Sequence, residues 1–348
     1  MIRLEVAGGR VVTIDFDLQT SPMEHLYGHV EKMVRGWQEL SRVADDSSTR
    51  KVLYCHQGEA CTRVPEDGSF DLIGSDDATS CFILILRLPS ARRLFVSHIA
   101  SLDGILSLSR QTDDFCNEST TETSESVEVF LSGGMDDENS DRLLRAIIVT
   151  VQHSTRQADF IIRLLNVCRL NTRFTANEKD RAMGDTENEC SEVITRPVVQ
   201  GLAYDCSISQ VIPYHFSSHQ RAPYFNLRSY CLWADGLDNS VSNCGINVAF
   251  DGKDEIFMIR VPQQPFPAEI ATKLLRLSDE RLLATTSTTP LVERDRFCSD
   301  VRNTCMMALK LGQSRDSSGE DPEFDYELGS ILMYKFSDQE GTWKRIKN

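Results

Sequence analysis

The feature that most constrains this fold is the run Cys81-Phe-Ile-Leu-Ile-Leu-Arg-Leu88, apolar at seven of eight positions. A run this short and apolar, closed by Pro89-Ser90, reads as a buried strand. Leu94–His98 follows as the next strand after a short turn. If the two form a hairpin, Cys81 falls opposite residue 98 or residue 100. Either register puts Cys81 and His98 on one face, roughly 5 to 8 Å apart at Cβ. Cys81 also lies at the mouth of its strand, just after the polar loop Gly74–Ser80. A nucleophile needs this combination of rigid support and access.

The remaining pattern is mixed. Residues 2–6 and 10–16 alternate around Gly8-Gly9 as a hairpin. Ser21-Pro22-Met23-Glu24 is a helix-start signature, and Met23, Leu26, Val30, Met33, Trp37 and Leu40 recur at helical spacing, which predicts a helix over 22–42. Strands are expected at 51–55, 127–131, 160–170, 198–205, 209–215, 245–250 and 255–261, with Asp251-Gly252 as a hairpin turn. Helices are expected at 141–153 and 293–311, and a closing hairpin at 331–336 and 343–346. The Ser/Thr/Asp/Glu-rich stretch 110–126 reads as a mobile loop, 172–194 as a linker or long loop, and 312–324 as disordered. The sum is an α+β chain with mainly antiparallel neighbours. It divides into a catalytic core over 1–170, a linker over 171–194, and a β-rich part over 195–348 packed on the core.

Composition narrows the function. A formal net charge of −15 opposes nucleic acid as a partner. No apolar run approaches the ~20 residues of a membrane span, and the N-terminal residues are too polar for a secretory signal. An intracellular protein is therefore expected, cytoplasmic first and nuclear second. The 11 cysteines include no C-x-x-C pair, which suits reduced thiols better than disulfides or zinc. His25 and His29 read as a solvated helix face and His215 and His219 as loop residues, so no metal is expected. Without a G-x-G-x-x-G or a P-loop, no nucleotide cofactor is expected either.

The chemistry centres on Cys81. A thiol at its free pKa of ~8.5 is a weak nucleophile that a neighbouring imidazole activates. The imidazole needs a third group to fix its tautomer. Ser75, Asp76 and Asp77 are the candidates on the loop.

These residues also carry a resemblance. Leu72-Ile-Gly-Ser-Asp-Asp-Ala-Thr-Ser-Cys81 resembles the active-site motif of protein N-terminal asparagine amidohydrolases. The resemblance extends to Leu53-Tyr54, Gln57, Glu59, Pro65–Ser69, Arg87 and His98. It continues through Val127–Gly134, Pro265-Phe266-Pro267, Ser287–Glu293 and Tyr334-Lys335. The arrangement also looks like that of bacterial chemoreceptor glutamine deamidases and cytotoxic-factor deamidases, which favours Ser75 as the third member. The chain departs from the pattern at Ser80, where many members have threonine, at Phe82, where some have histidine, and in a longer acidic loop at 110–126.

The resemblance implies a deamidase-like core with Cys81, His98 and Ser75 as catalytic residues. It implies substrates that are proteins or peptides with a free N-terminal asparagine, converted to aspartate for N-degron degradation without a cofactor. Deamidation of internal Gln or Asn, non-catalytic reading of N-termini, and proteolysis stay open as alternatives. Restriction to chain termini requires an acid that pairs with the α-ammonium, and Asp76, Asp77 and Glu59 are the expected ones.

Overall fold

The computed structural model describes residues 2–6, 10–14, 21–39, 50–66, 68–117, 126–154, 159–176, 193–237, 245–313, 328–338 and 340–346. Its strands are β1 (Ile2–Val6), β2 (Arg10–Ile14), β3 (Val52–Tyr54), β4 (Glu59–Pro65), β5 (Leu72–Ser75), β6 (Phe82–Leu88), β7 (Arg93–Ile99), β8 (Ser126–Gly133), β9 (Asp159–Val167), β10 (Thr172–Ala176), β11 (Val193–Pro197), β12 (Leu202–Asp205), β13 (Gln210–Pro213), β14 (Asn247–Asp251), β15 (Ile256–Arg260), β16 (Ile331–Ser337) and β17 (Thr342–Ile346). The helices are α1 (Met23–Glu39), α2 (Ile105–Asn117), α3 (Glu138–Ser154), α4 (Phe225–Leu237), α5 (Ala268–Leu275), α6 (Asp279–Thr286) and α7 (Phe297–Gln313).

Eleven strands form the main sheet in the order β17-β16-β15-β14-β4-β7-β6-β8-β9-β1-β2, and β13-β12-β5-β3 form a second. Most neighbours are antiparallel, as the hairpin-rich sequence implied. β6 lies inside the main sheet, between β7 and β8. Ile83, Leu84, Ile85 and Leu86 are wholly buried, which contributes about 1.5–3 kcal/mol for each side chain removed from water.

Both faces of β6 are covered, which is why its sequence does not alternate. On one side the second sheet packs β5 against β6 and β7. Leu53 and Ile73 point inward to the main core, while Val52, Tyr54 and Leu72 point outward to a smaller cluster with Tyr214 and Phe216. On the other side Phe95 meets Phe115 of α2 at 5.8 Å, and α2 packs on α3. β14 joins the main sheet by pairing parallel with β4. The closing hairpin is locked by Trp343 against Phe70, Phe257 and Phe336.

Several boundaries differ from the sequence reading. Residues 110–117 are helical, although their composition suggested a loop, because Leu108, Thr112 and Phe115 are buried at helical spacing on α2. The rest of that loop, at 118–125, lies outside the described residues. The expected linker begins and ends in paired strands, β10 and β11, with 177–192 outside the described residues, as are 314–324 of the expected disordered stretch. Helix α7 begins at Phe297, so residues 293–296, read as helical, form a loop and turn before it. Helices α4, α5 and α6 were not anticipated.

Gly74 sits where β5 pairs with β12, and a Cβ there would lie 2.2 Å from the Leu202 carbonyl oxygen. Gly28, exposed inside α1, has nothing within 4 Å. Gly28→Ala is therefore expected to raise stability by about 0.5–1 kcal/mol, and Gly74→Ala to lower it by about 1–3 kcal/mol. Denaturant unfolding of the two variants checks the opposite signs.

Candidate active site

Cys81 immediately precedes β6. The pairings Phe82↔Ile99 and Phe82↔Gly133 hold it between the ends of β7 and β8. Its carbonyl accepts a hydrogen bond from Gly134 N at 2.8 Å. Gly134 has φ +69°, and a Cβ there would meet the Phe82 ring at 2.4 Å. The double glycine is thus a backbone clamp behind Cys81. The nearby Asp137 caps α3, its Oδ1 accepting from Ser140 N at 2.8 Å. Cys81 keeps 8% of its surface and opens onto a cavity of about 270 Å³.

His98 pairs with Ile83, one pleat along β7 from Cys81 and on the same face. Ser75 follows the inward-facing Ile73 by two residues and so also faces the main sheet. Ser75 Oγ and His98 Nδ1 are hydrogen-bonded at 2.8 Å. Ser75 is wholly buried and His98 is 2% exposed. His98 Nε2 is buried and makes no hydrogen bond among the described residues. With Nδ1 engaged by Ser75, Nε2 is the ring nitrogen left to exchange a proton with a thiol or a substrate. Both partners are neutral at rest. Burial pushes the Cys81 thiol up to about 12, opposed by a hydrogen bond from Ser80 and reinforced by the charge of Glu293. Burial pushes His98 down to about 4 against the pull of Asp77.

The loop between Ser75 and Cys81 is fixed by charge. Asp76 is wholly buried and accepts from Tyr54 Oη at 3.0 Å, Phe216 N at 2.9 Å and Arg296 Nη2 at 2.8 Å. Asp77 takes the left-handed conformation, φ +61°, which costs a non-glycine residue roughly 1–2 kcal/mol. It accepts from Arg221 at 3.2 Å and Arg296 at 2.8 Å, and Arg294 Nε lies 3.3 Å away. Burial and the charge of Asp77 raise the Asp76 carboxyl. Burial would raise Asp77 too, but Arg296, Arg221 and Arg294 outweigh it and hold that carboxyl below its ordinary value. Arg221 also reaches Asp300 at 2.8 Å and stacks on the Phe225 ring at 3.4 Å.

Cys81, His98, Asp76 and Asp77 line the cavity, and Ser75 lies directly behind His98. Glu59 lines a separate, smaller cavity. It accepts from Arg228 Nε at 2.9 Å and His56 N at 3.0 Å. Sequence reasoning assigned no site role to His56, Arg221, Arg294 or Arg296. The alternation Glu293-Arg294-Asp295-Arg296 was a usable signal, masked by the helical reading of 293–311. His56 is buried on the cavity wall, bonded through Nε2 to Ser229 Oγ at 3.1 Å. Burial and then Arg228 hold it well below the ordinary imidazole value.

This arrangement suits acyl transfer: a thiol on a cavity that also takes in an imidazole oriented by a hydroxyl. Because the thiol is protonated below about 12, alkylation of Cys81 by iodoacetamide in the free protein should accelerate about tenfold per pH unit from pH 7 to 10. A plateau beginning below pH 8 would instead reveal a resting thiolate–imidazolium pair.

A family profile described as protein N-terminal asparagine amidohydrolase matches residues 42–345. A protein of that name from Mus musculus is 26% identical over 320 residues, covering 89% of this chain and 91% of its own. Those from Sus scrofa and Homo sapiens are 25% and 24% identical over 318 residues, again covering 89% of this chain, and 90% and 91% of theirs.

Proposed function

The chain belongs to the protein N-terminal asparagine amidohydrolase family, and on that premise we propose that it hydrolyses the side-chain amide of an N-terminal asparagine, with Cys81 as nucleophile, His98 as acid and base, and Ser75 orienting His98. The Cys81 sulfur attacks the carboxamide carbon while its proton passes to His98 Nε2. Backbone N–H groups beside Cys81 stabilise the oxyanion, each typically worth ~3 kcal/mol. The imidazolium returns the proton to the departing nitrogen, ammonia leaves, and a thioester remains. His98 then takes a proton from water, hydroxide attacks the thioester, and the thiol is restored as N-terminal aspartate departs. The amide carbon exchanges nitrogen for sulfur and sulfur for oxygen, so the balance closes with water alone.

One observation carries this reading. Ser75 Oγ holds Nδ1 of His98 at 2.8 Å and leaves Nε2 buried and unpartnered on the cavity that Cys81 also lines. A merely structural histidine this deeply buried would have both ring nitrogens satisfied. The Asp76–Asp77–arginine cage serves this geometry by fixing the chain between Ser75 and Cys81. The substrates are proteins or peptides beginning with asparagine. Family resemblance supports N-degron degradation as the fate of the product, in the cytoplasm and, secondarily, the nucleus. Among the described residues no helix is long and apolar enough to cross a membrane.

Cys81→Ala is expected to leave less than a few per cent of the ammonia release from an Asn-initiated peptide, whereas single replacement of the other ten cysteines leaves it active. His98→Ala should cost about 10²–10⁴-fold, and Ser75→Ala less, since a hydroxyl that orients the base takes no proton itself. Timed ammonia assays on folded variants test the order. Substantial turnover by Cys81→Ala would overturn the assignment.

A further inference from the structure

We propose that His56 holds the leaving nitrogen of the substrate's carboxamide and so distinguishes the asparagine substrate from the aspartate product. This inference rests on the deamidation reading above and adds to it the residue that tells amide from acid.

The reaction exchanges an NH2 for an oxygen at one carbon. An amide nitrogen donates two hydrogen bonds, whereas a carboxylate only accepts. A group that separates the two must accept, must be unable to donate, and must face the cavity that Cys81 lines. Most polar groups on the cavity wall fail one of these conditions. Hydroxyls, and amides such as Gln57, turn to donate as readily as they accept. Asp76, Asp77 and Asp300 are bound by guanidiniums. His98 Nε2 is committed to the proton of Cys81 in the mechanism above.

His56 meets all three conditions. It lies between β3 and β4, and its neighbours are fastened to the strands that hold Ser75 and His98. Cys55 N donates to the carbonyl of Gly74 at 2.8 Å, and Gly58 N donates to the carbonyl of His98 at 2.9 Å. The ring lines the same cavity as Cys81 and His98 and packs edge-on against Phe225, with centroids 4.7 Å apart. Its tautomer follows from its partner. Ser229 Oγ donates its single proton to the carbonyl of Phe225 at 3.1 Å. Toward His56 Nε2, also 3.1 Å away, the same oxygen is left only to accept, so the ring proton sits on Nε2. Nδ1 then carries a lone pair and no proton. It makes no hydrogen bond among the described residues. It is nonetheless not one of the fully buried polar atoms without a partner, so it reaches the open space of the cavity. Burial, Arg228, Arg221 and His98 all oppose protonation of the ring, so Nδ1 stays an acceptor when His98 becomes an imidazolium.

The oxyanion donors hold the carboxamide oxygen, and an N–H donated to His56 Nδ1 holds the nitrogen. Together they fix which of the two atoms leaves. After hydrolysis an aspartate oxygen faces that lone pair in place of the N–H. Two acceptors then meet with no proton between them, which favours release of the product.

The test measures binding without turnover. In the Cys81→Ala protein, calorimetry gives the Kd of an Asn-initiated peptide and of the same peptide beginning with Asp. The intact ring should favour asparagine by about 100-fold, the scale on which a site built to accept an N–H rejects a partner that lacks it. His56→Phe keeps a ring against Phe225 but removes the lone pair, and should cut the ratio at least about fivefold. Ser229→Ala leaves the imidazole in place and only frees its proton to move to Nδ1. It should lower the ratio in the same direction, and it decides the matter if thermal unfolding shows His56→Phe not to fold. A merely structural His56 would weaken both peptides equally, so an unchanged ratio in the folded variant would overturn the proposal. Ammonia release by the wild-type protein reports separately on deamidation, so failure of the two readings can be told apart.

Discussion

The hydrogen bond between Ser75 and His98 joins the two sheets of this molecule, and the chemistry depends on it. Ser75 ends a strand of the smaller sheet and His98 a strand of the larger. Their contact requires the sheets to stack closely, and Gly74 allows β12 to approach β5 as it must. The same stacking buries one face of β6, so the apolar run that dominates the sequence and the orientation of the imidazole share a cause. The bond engages Nδ1 of His98 and leaves Nε2 as the ring nitrogen without a hydrogen bond among the described residues.

Around this bond the protein separates its charges by purpose. Asp76 and Asp77 are bound to arginines and hold a loop in a conformation that costs energy locally. Replacing one partner of such a buried network strands the other, typically a loss of about 3–5 kcal/mol, which suits a scaffold that must not move. Burial favours the neutral forms of Cys81 and His98, the proposed reacting pair. A thiol held neutral resists alkylation and oxidation. Of the eight other free cysteines among the described residues, six are buried and Cys116 and Cys206 are half-buried, the usual placement of a small apolar side chain.

Much of this was legible in the sequence where one element decides the outcome. The run 81–88 and the turn after it fix a hairpin register to two choices, and both keep Cys81 and His98 on one face; the register found sets Cys81 level with Ala100. Helix α1 follows from its apolar spacing and its Ser-Pro start. What escaped was structure decided by distant packing. Residues 110–117 look like loop in composition, yet three buried side chains at helical spacing make them a helix. Arg221, Arg294 and Arg296 come to Asp76 and Asp77 from well over a hundred residues away, and the one local pattern, Glu293-Arg294-Asp295-Arg296, sits inside a stretch that reads as helix. Glu293 stood inside a segment whose composition favours a helix, whereas it lies in the loop before α7, just after Thr288 and Thr289, which are tied to Ser80 and Thr79.

The most direct test of the central claim is mass spectrometry of the protein quenched in acid during turnover of an Asn-initiated peptide. The account predicts that the peptide gains the mass of amide-to-acid exchange with its backbone intact, and that a trapped acyl group is found on Cys81, equal to the peptide less ammonia. An acyl group on another residue, or cleavage of the peptide backbone, would contradict it.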